Sequence, residues 1–486
     1  MAEAKLEHKV VSGVAWSFSE KLLSMVVQMV VSIVVARQLA PDDFGIMAIM
    51  TFFTSVALAI VDSGFSQTLI RKPHPTDTEY RSVLGFNVVV SLVLYVVFLA
   101  VSSPLATLYD APVIRDIAPV LFLVLPINSL CVVQTVMFTR EFRFALLAKI
   151  VFFSTLLSGI VAVVMAVAGC GIWSLVAQRL LMMGLKAAAF WWIRRWRTSA
   201  PFSLASLRAM APFSLRLLAT DLIASIYNNV AQLFIGKMHS TSALGYYSQA
   251  QKLKDLPVIS AVQAVQGVTY PALAKLADED DDKFAAGYMR IVRLLSFVIF
   301  PVMLGLVAIA PDMFMLLLGQ RWMPTVPYFE ILALSGMAYP LAMVSYNILK
   351  VRSNGGVIVR LEVVKRVVMT AILCYTIPRG VESVAWGMTA MAFVEFSINS
   401  AAALRYLSVG VVALLANTLP QLVLAAAMFV ALYLAEPYIA TLTLGLRLLV
   451  EVAAGVAIYA SGAYIFRLRA MNEALALLRG YISKSA

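Results

Sequence analysis

The sequence predicts an all-α protein that crosses a lipid bilayer about fourteen times. Hydrophobic residues make up 62% of its 486 residues and charged residues only 13%, whereas soluble domains are about 45 to 50% apolar and about 25% charged. The mean hydropathy of +0.89 means that there is more apolar side chain than a water-soluble core can bury. The solvent for most of the surface is therefore lipid.

The spans follow from apolar segments of roughly 20 residues, the length that crosses the hydrocarbon core as a helix. The first segment is too long for a signal-peptide core and has no convincing cleavage site, so we expect it to remain as a spanning helix. Twelve spans is the alternative count. In chain order the predicted spans are 10–36, 44–70, 83–106, 113–137, 146–168, 172–193, 209–236, 243–270, 285–309, 325–349, 357–377, 381–404, 412–434 and 439–466.

The basic residues of the loops are distributed unevenly between the two sides of the membrane. Most fall on the side of the N-terminus. Because cytoplasmic loops carry an excess of Lys and Arg, this asymmetry predicts that both termini are cytoplasmic and that the number of spans is even. The loop residues on the other side are Arg37, Arg115, Lys237, Arg321 and Arg379.

The chain also repeats itself at an offset near 200 residues. Arg37 and Gly45 bracket the first outer loop, as Lys237 and Gly245 bracket a later one. Each copy holds six helices and enters the membrane in the same direction, so a pseudo-two-fold axis along the membrane normal should relate the two lobes. The predicted organisation is an N-lobe at 1–193, a basic, interfacial cytoplasmic linker at 194–208, a C-lobe at 209–407, two accessory C-terminal helices at 408–466 and a cytoplasmic tail at 467–486.

Polar residues recur on one side of three predicted helices. Two interpretations are open: hydrogen bonds and ion pairs between helices, such as Lys252 with Asp255, or a hydrated cavity between the lobes. Polar groups in hydrocarbon are costly, and the stripes match in both copies, which favours the cavity. Its predicted polar lining is Ser24, Gln28 and Ser32 in the first helix, Ser225, Asn228 and Gln232 in the seventh, and Gln263 and Gln266 in the eighth.

Charged residues in these and neighbouring helices indicate the chemistry of a solute. Ammonium and guanidinium groups suit a pyrophosphate, with arginine able to make bidentate contacts. Carboxylates inside a membrane can couple transport to an ion gradient, and Asp221 and Asp255 are the candidates for this role. The candidate cationic residues are Lys21, Arg216, Lys252, Lys254, Arg293 and Lys365.

The sequence lacks the residues that several other functions require. No Gly-rich phosphate loop is present, the outer segments leave little room for a catalytic domain, and basic residues placed between apolar runs do not indicate nucleic-acid binding. We therefore expect a protein that is not an enzyme and uses no cofactor or metal. The spacing or position of the cysteines and histidines supports neither a disulfide framework nor a metal centre: Cys131, Cys170, Cys374, His8, His74 and His239.

Short motifs in both halves resemble those of one transporter family. Their order and spacing over roughly residues 10 to 407 are similar to polysaccharide transporters of the multidrug/oligosaccharidyl-lipid/polysaccharide exporter superfamily, in the branch with the colanic-acid-type Wzx flippases. The motifs are VARQLAPDDFG at 35–45, DSGFSQTLI at 62–70, FIGK at 234–237, LGYY at 244–247, GVTYP at 267–271 and RWMP at 321–324.

This resemblance implies a two-lobe transporter in which helices 1, 2, 7 and 8 line a cavity. Such a flippase moves undecaprenyl-pyrophosphate-linked oligosaccharide repeat units from the inner to the outer leaflet of the bacterial cytoplasmic (inner) membrane by alternating access. It would serve exopolysaccharide, capsule or O-antigen (lipopolysaccharide) synthesis, with membrane lipid, a polymerase and a chain-length regulator as partners. The alternatives are a drug or cation antiporter of the same superfamily and a membrane polysaccharide polymerase or ligase. The glycan, coupling ion, oligomeric state and resting conformation remain open.

Overall fold

The computed structural model describes residues 20–21, 23–196, 198–276, 281–353 and 355–476, without the side chains of 264–276. Every regular element in these ranges is helical. In hydrocarbon a helix satisfies its own backbone N–H and C=O groups, which explains why long apolar runs fold this way. Nine described spans are both long and apolar enough to cross a membrane. The predicted all-α, multi-pass fold is confirmed.

The chain forms two compact units, Met1–Gly245 and Tyr246–Ala486. This division places the seventh predicted span in the first unit, whereas the sequence repeat assigns it to the second lobe. Contacts and internal repeats are different criteria, so the predicted lobe boundaries stay a prediction. The helices described in the first unit are α1 (Leu23–Gln38), α2 (Pro41–Asp62), α3 (Phe65–Arg71), α4 (Asp77–Leu108), α5 (Val113–Leu121), α6 (Val124–Arg140), α7 (Phe144–Val167), α8 (Trp173–Ile193) and α9 (Leu204–Met238).

The predicted span 44–70 is broken into two helices. Ser63 and Gly64 both have positive φ, at 49° and 69°. This left-handed pair ends α2 and separates it from α3. Glycine adopts that conformation readily. A hydropathy pattern does not show such a break, because the apolar character continues on both sides of it.

Arg140 holds the end of α3 in place. Its guanidinium donates to the carbonyl oxygens of Leu69 and Ile70, both at 3.0 Å, and of Pro73 at 2.7 Å, and it also contacts the carbonyl of Lys72. The last carbonyls of a helix lack partners within the helix, so this side chain from α6 satisfies two of them and two carbonyls just beyond the helix end.

The basic linker after α8 is attached to the rest of the first unit. Arg194 forms an ion pair with Glu141, and the backbone N–H of Ser203 donates to Ser82 Oγ at 2.8 Å. The Phe202 ring lies next to Gly85 of α4, where an added Cβ would come within 3.3 Å of it. The described part of this segment is therefore packed against α4 as well as being basic.

The second unit is built around α13. Thr389 donates to the carbonyl of Ile331 at 2.8 Å, and Asn399 to that of Ala342 at 3.2 Å, so α15 is bonded along α13. The helices here are the rest of α10 (Thr241–Leu276), α11 (Asp281–Ala308), α12 (Ala310–Leu317), a 3-10 helix (Gln320–Thr325), α13 (Val326–Arg352), α14 (Gly355–Thr376), a 3-10 turn (Ile377–Arg379), α15 (Val381–Leu404), α16 (Val411–Ile439) and α17 (Leu444–Ile465).

The accessory helices α16 and α17 pack on α11 through a large apolar cluster. At the turn between them, Arg447 pairs with Asp312 of α12, with Glu436 at 3.1 Å and with Glu451 at 3.4 Å. Burial raises the pKa of the Asp312 carboxyl, and the positive charge of Arg447 partly offsets this. An arginine shared among three carboxylates thus fastens the accessory pair to the second unit.

Candidate functional site

Helix α9 differs from the other apolar spans in how little of it is packed. In its most apolar stretch 11% of the residues are buried, against 78% in the span that contains α13. Exposed residues on a membrane helix contact either lipid or water. The chemistry of the exposed side chains distinguishes these two environments, because lipid does not satisfy polar groups.

The two sides of α9 carry opposite chemistry. Ile223 and Ile226 are exposed, and each is two residues away from an exposed polar residue, Asp221 and Asn228 respectively. At 3.6 residues per turn, two residues cover more than half a turn, so the isoleucines lie opposite the polar groups. The isoleucine side suits acyl chains, and the polar side requires water or polar partners.

The polar side of α9 is closed at both ends. Ser214, Asp221, Asn228 and Ile235 are seven residues apart, close to two turns, and therefore lie along one line. Ser214 and Ile235 are fully buried, whereas Asp221 and Asn228 are exposed. Ser225 and Gln232 of the same side are half-buried. We call this side, from Asp221 to Gln232, the polar side of α9.

Contacts with α3 and α2 produce these two ends. Near one end, the hydroxyls of Ser214 and Thr68 are 2.7 Å apart. Near the other, a Cβ on Gly236 would meet Ile49 at 3.2 Å and Leu244 at 3.0 Å. Because α9 rises 1.5 Å per residue, Asp221 and Asn228 each lie about 10 Å along the axis from the nearer buried end.

A second carboxylate lies close to Asp221. A Cβ added to Gly64, two residues after Asp62, would lie 2.9 Å from the Cβ of Leu217, which is one turn before Asp221 on α9. Asp62 accepts a hydrogen bond from the backbone N–H of Ser66 at 3.3 Å. The sequence marks Asp62 only as one acidic residue in an apolar segment. Its proximity to Asp221 depends on the Ser63–Gly64 break and was not predictable from spacing.

Helix α1 has the same two-sided character. Lys21 and Gln28 are exposed, whereas Ser24 and Ser32 are buried, and Ser24 donates to Glu20 at 2.8 Å. Leu23, Val26 and Val30 are exposed on the other side. Two of the four predicted polar positions of α1 are thus open and two are packed.

In α10, Asp255 forms an ion pair with the neighbouring Lys254 at 2.6 Å. The pairing of Asp255 with Lys252 stays a prediction, and the side chain of Lys252 is exposed. Lys252 shares its side of α10 with Ser248 and Asp255, at spacings of four and three residues. Gln263 is half-buried. The side chain of Gln266, also predicted to line the cavity, lies outside the described part of the structure.

Two of the candidate cations have partners within the second unit. Arg293 donates to Asn417 Oδ1 at 2.6 Å and pairs with Glu473. Lys365 is only 4% exposed, pairs with Glu362, and lies 5.2 Å from the centre of the Tyr346 ring. These contacts favour the structural interpretation for both residues.

Arg216 lies away from the polar side of α9. It is exposed, but Ile223 is seven residues, close to two turns, further along and therefore on the same side. Charge and depth in the membrane group Arg216 with the cavity cations, but neither includes the direction of the side chain. The helix geometry separates it from Asp221 and Asn228.

The helical fold and the polar spans define a multi-pass membrane protein of the kind that handles polar solutes. The chain belongs to the family described as "Polysaccharide biosynthesis protein", whose model matches residues 34–327. It is 26% identical over 381 residues to the succinoglycan biosynthesis transport protein ExoT of Rhizobium meliloti (strain 1021), covering 78% of this chain and 76% of that protein.

Other relatives are consistent with this family. The lipopolysaccharide biosynthesis protein WzxC of Escherichia coli (strain K12) is 22% identical over 344 residues, 68% of each chain. Among solved structures, the lipid II flippase MurJ in an inward closed conformation aligns with a TM-score of 0.72 at 13% identity, covering 92% of this chain and 98% of MurJ. At that identity the match shows a shared fold.

Proposed function

We propose that this protein flips undecaprenyl-pyrophosphate-linked oligosaccharide repeat units from the inner to the outer leaflet of the bacterial cytoplasmic membrane. The observation that carries the proposal is the polar side of α9, open in the middle and closed at both ends. Family membership and the names of ExoT, WzxC and MurJ support a lipid-linked saccharide as the solute.

The two sides of α9 match the two parts of such a substrate. A glycan that leaves water must replace its lost hydrogen bonds, because unsatisfied polar groups in an apolar medium are costly. Asn228, Gln232 and Ser225 offer donors and acceptors for sugar hydroxyls. The apolar side with Ile223 and Ile226 leaves a polyprenyl tail in contact with lipid, so the tail need not leave the bilayer.

Exposed lysines provide the counter-charge for a pyrophosphate. Lys21, Arg216 and Lys252 are the predicted cations with exposed side chains, and an ammonium group binds phosphate oxygens through charge-assisted hydrogen bonds. Arg216 lies on the isoleucine side of α9, whereas Lys21 and Lys252 each share one side of their own helix with other polar residues. We therefore propose Lys21 and Lys252, each within its own unit, as candidate contacts of the pyrophosphate.

Asp221 and Asp62 form the best pair for coupling to an ion gradient. Carboxylate oxygens are ligands for small cations, so we propose that a coupling cation binds at these two side chains. Asp255, the other predicted coupling residue, already has Lys254 beside it. The coupling proposal therefore concentrates on Asp221.

The orientation of the protein in the membrane and its partners are part of the same proposal. The Lys and Arg asymmetry of the loops supports cytoplasmic termini. A polymerase and a chain-length regulator would use the flipped repeat units.

A drug or cation antiporter of the same superfamily is the second candidate function. The acidic pair Asp62 and Asp221 favours it, because acidic groups attract organic cations.

Reconstitution tests the proposal directly. Purified protein is placed in liposomes with undecaprenyl-pyrophosphate oligosaccharide in both leaflets, and an impermeant periodate reagent measures how much glycan becomes accessible over time. We expect complete accessibility with protein and about half without it. If folded protein did not speed up the exposure of glycan to the reagent, this result would contradict flipping. Elongation of the repeat units by the protein alone would favour a polymerase, and cation-driven dye efflux without glycan movement an antiporter.

A further inference from the structure

An apolar groove lies between α11, α16 and α17 of the second unit. Its volume is about 470 Å³, and the exposed side chains of Val302 and Val456 are among those that line it. Because all three helices are long and apolar enough to cross a membrane, the groove is open to membrane lipid. We call it the accessory groove, and in helical steps of four it is lined by Pro301, Gly305 and Ile309 of α11 and by Glu451, Gly455 and Tyr459 of α17.

Two polar groups interrupt the apolar lining of the accessory groove. Glu451 and Tyr459 are each only 6% exposed. The Oε2 atom of Glu451 and the hydroxyl of Tyr459 have no hydrogen-bond partner among the residues that the structure describes. Buried polar groups are nearly always hydrogen-bonded, because leaving them unpaired is costly. A ligand of the groove that supplies both partners would remove this cost.

The charges at the Glu451 end of the groove favour a cationic ligand. Arg447 is the one basic residue in the described ion pairs there, and it is shared among the carboxylates of Asp312, Glu436 and Glu451. Its Nε atom lies 3.4 Å from Glu451 Oε1, which is longer than a normal hydrogen bond. Negative charge therefore exceeds positive charge in these pairs, and Glu451 is only weakly held by its arginine.

We propose that the accessory groove binds a phospholipid whose headgroup carries a primary ammonium, phosphatidylethanolamine. Its ammonium donates a charge-assisted hydrogen bond to Glu451, and one acyl chain lies along the apolar lining. Glu451 and Tyr459 are about 12 Å apart along the axis of α17, with Tyr459 further from the headgroup, so the Tyr459 hydroxyl donates to an ester carbonyl of the same lipid. This binding site does not depend on the proposed flipping.

The headgroup chemistry gives a direct test, because phosphatidylcholine has the same positive charge without an N–H donor. Purified protein is incubated with equal amounts of the two lipids with identical acyl chains, and native mass spectrometry measures how much of each stays bound. We expect about tenfold more phosphatidylethanolamine than phosphatidylcholine, the ratio that a hydrogen bond to a charged group supports. Equal retention of the two lipids, or retention of neither, would overturn the proposal.

A charge-neutral variant assigns the preference to the carboxylate. Glu451→Gln keeps the shape of the side chain but removes its charge, so it should retain both lipids equally. Glu382→Gln is the matched control, because Glu382 is an exposed carboxylate of α15 that does not line the groove, and it should keep the preference. A full preference in folded Glu451→Gln protein would overturn the proposal.

A second variant blocks the acyl chain instead of the headgroup. A Cβ added to Gly305 would lie 3.6 Å from Met428 Cε, so a first carbon fits there and the rest of a leucine side chain projects into the groove. Gly305→Leu should lower phosphatidylethanolamine retention to the level of phosphatidylcholine, whereas Gly445→Leu, with nothing within 4 Å of its added Cβ, should not. Unchanged retention in folded Gly305→Leu protein would overturn the proposal. Should Glu451→Gln not fold, this variant decides.

Discussion

Helices α9 and α13 contain polar residues of similar type but use them differently. In α13, Ser345 is fully buried and its hydroxyl lies 2.9 Å from that of Tyr288 and 3.0 Å from that of Ser400. In α9, Asp221 and Asn228 are exposed between two buried ends. A polar residue in a spanning helix therefore either bonds helices together or faces an open space, depending on how closely the helix is packed.

The largest expected effect comes from reversing the charge on the polar side of α9. Asp221→Lys should lower the flipping rate at least tenfold, because it removes the carboxylate close to Asp62 and places a bulky cation in the open region. Glycan accessibility in liposomes measures the rate, and membrane abundance is measured in parallel. Asp221→Asn, which keeps the shape, should lose less. If abundance fell as much as the rate, Asp221 would have a structural role, as Ser345 has in α13.

Removing a candidate pyrophosphate contact should have the next largest effect. We expect Lys252→Ala to reduce flipping about tenfold, since a hydrogen bond to a charged group contributes roughly 1.5 to 3 kcal/mol, and Lys252→Arg to retain most activity. Lys365→Met is the matched control, because Lys365 is a buried lysine with partners of its own. It should lower abundance and leave the rate per molecule unchanged. Full activity of Lys252→Ala would remove this lysine from the proposed site.

On the α13 side of the comparison, Ser345→Ala should affect stability alone. It breaks the contacts with Tyr288 and Ser400, and hydrogen bonds between membrane helices contribute about 0.6 to 2 kcal/mol. The midpoint of thermal unfolding in detergent should fall by a few degrees, with the flipping rate per folded molecule unchanged. A decrease in rate at an unchanged midpoint would show that this cluster takes part in transport.

The smallest effect is expected at Arg216. Although the sequence places it among the cavity cations, its side of α9 is that of Ile223, so Arg216→Ala should change the flipping rate less than twofold. The liposome assay used for Lys252→Ala measures both variants under the same conditions. A loss at Arg216 as large as that at Lys252 would mean that the polar side of α9 is wider than the helix geometry indicates.

The positions of the spans can be predicted from the sequence, whereas the contact partners of individual residues cannot. Every predicted span overlaps a described helix, because apolar length alone determines where a chain can cross a bilayer. Breaks such as Ser63–Gly64 depend on local backbone conformation, which hydropathy does not encode. The Arg293–Glu473 pair joins residues 180 positions apart, and no periodicity within one helix reveals such a partner.

Matching polar stripes in the sequence indicate α9 as a helix with one polar side. They did not separate the buried hydroxyls of α1, Ser24 and Ser32, from the exposed Gln28, since the spacing of four residues is the same for both. The close backbone approach at Gly45 and Gly245 corresponds in the sequence only to a repeat of two glycines 200 positions apart.

The central claim is that water reaches the polar side of α9 between its buried ends. Single cysteines at Asn228 and at Ile226, in a chain with Cys170 and Cys374 replaced by serine, are treated with a small water-soluble thiosulfonate reagent in sealed liposomes. We expect Asn228→Cys to react at least tenfold faster than Ile226→Cys, although the two positions have almost the same depth. Equal rates, or a faster reaction at position 226, would contradict it.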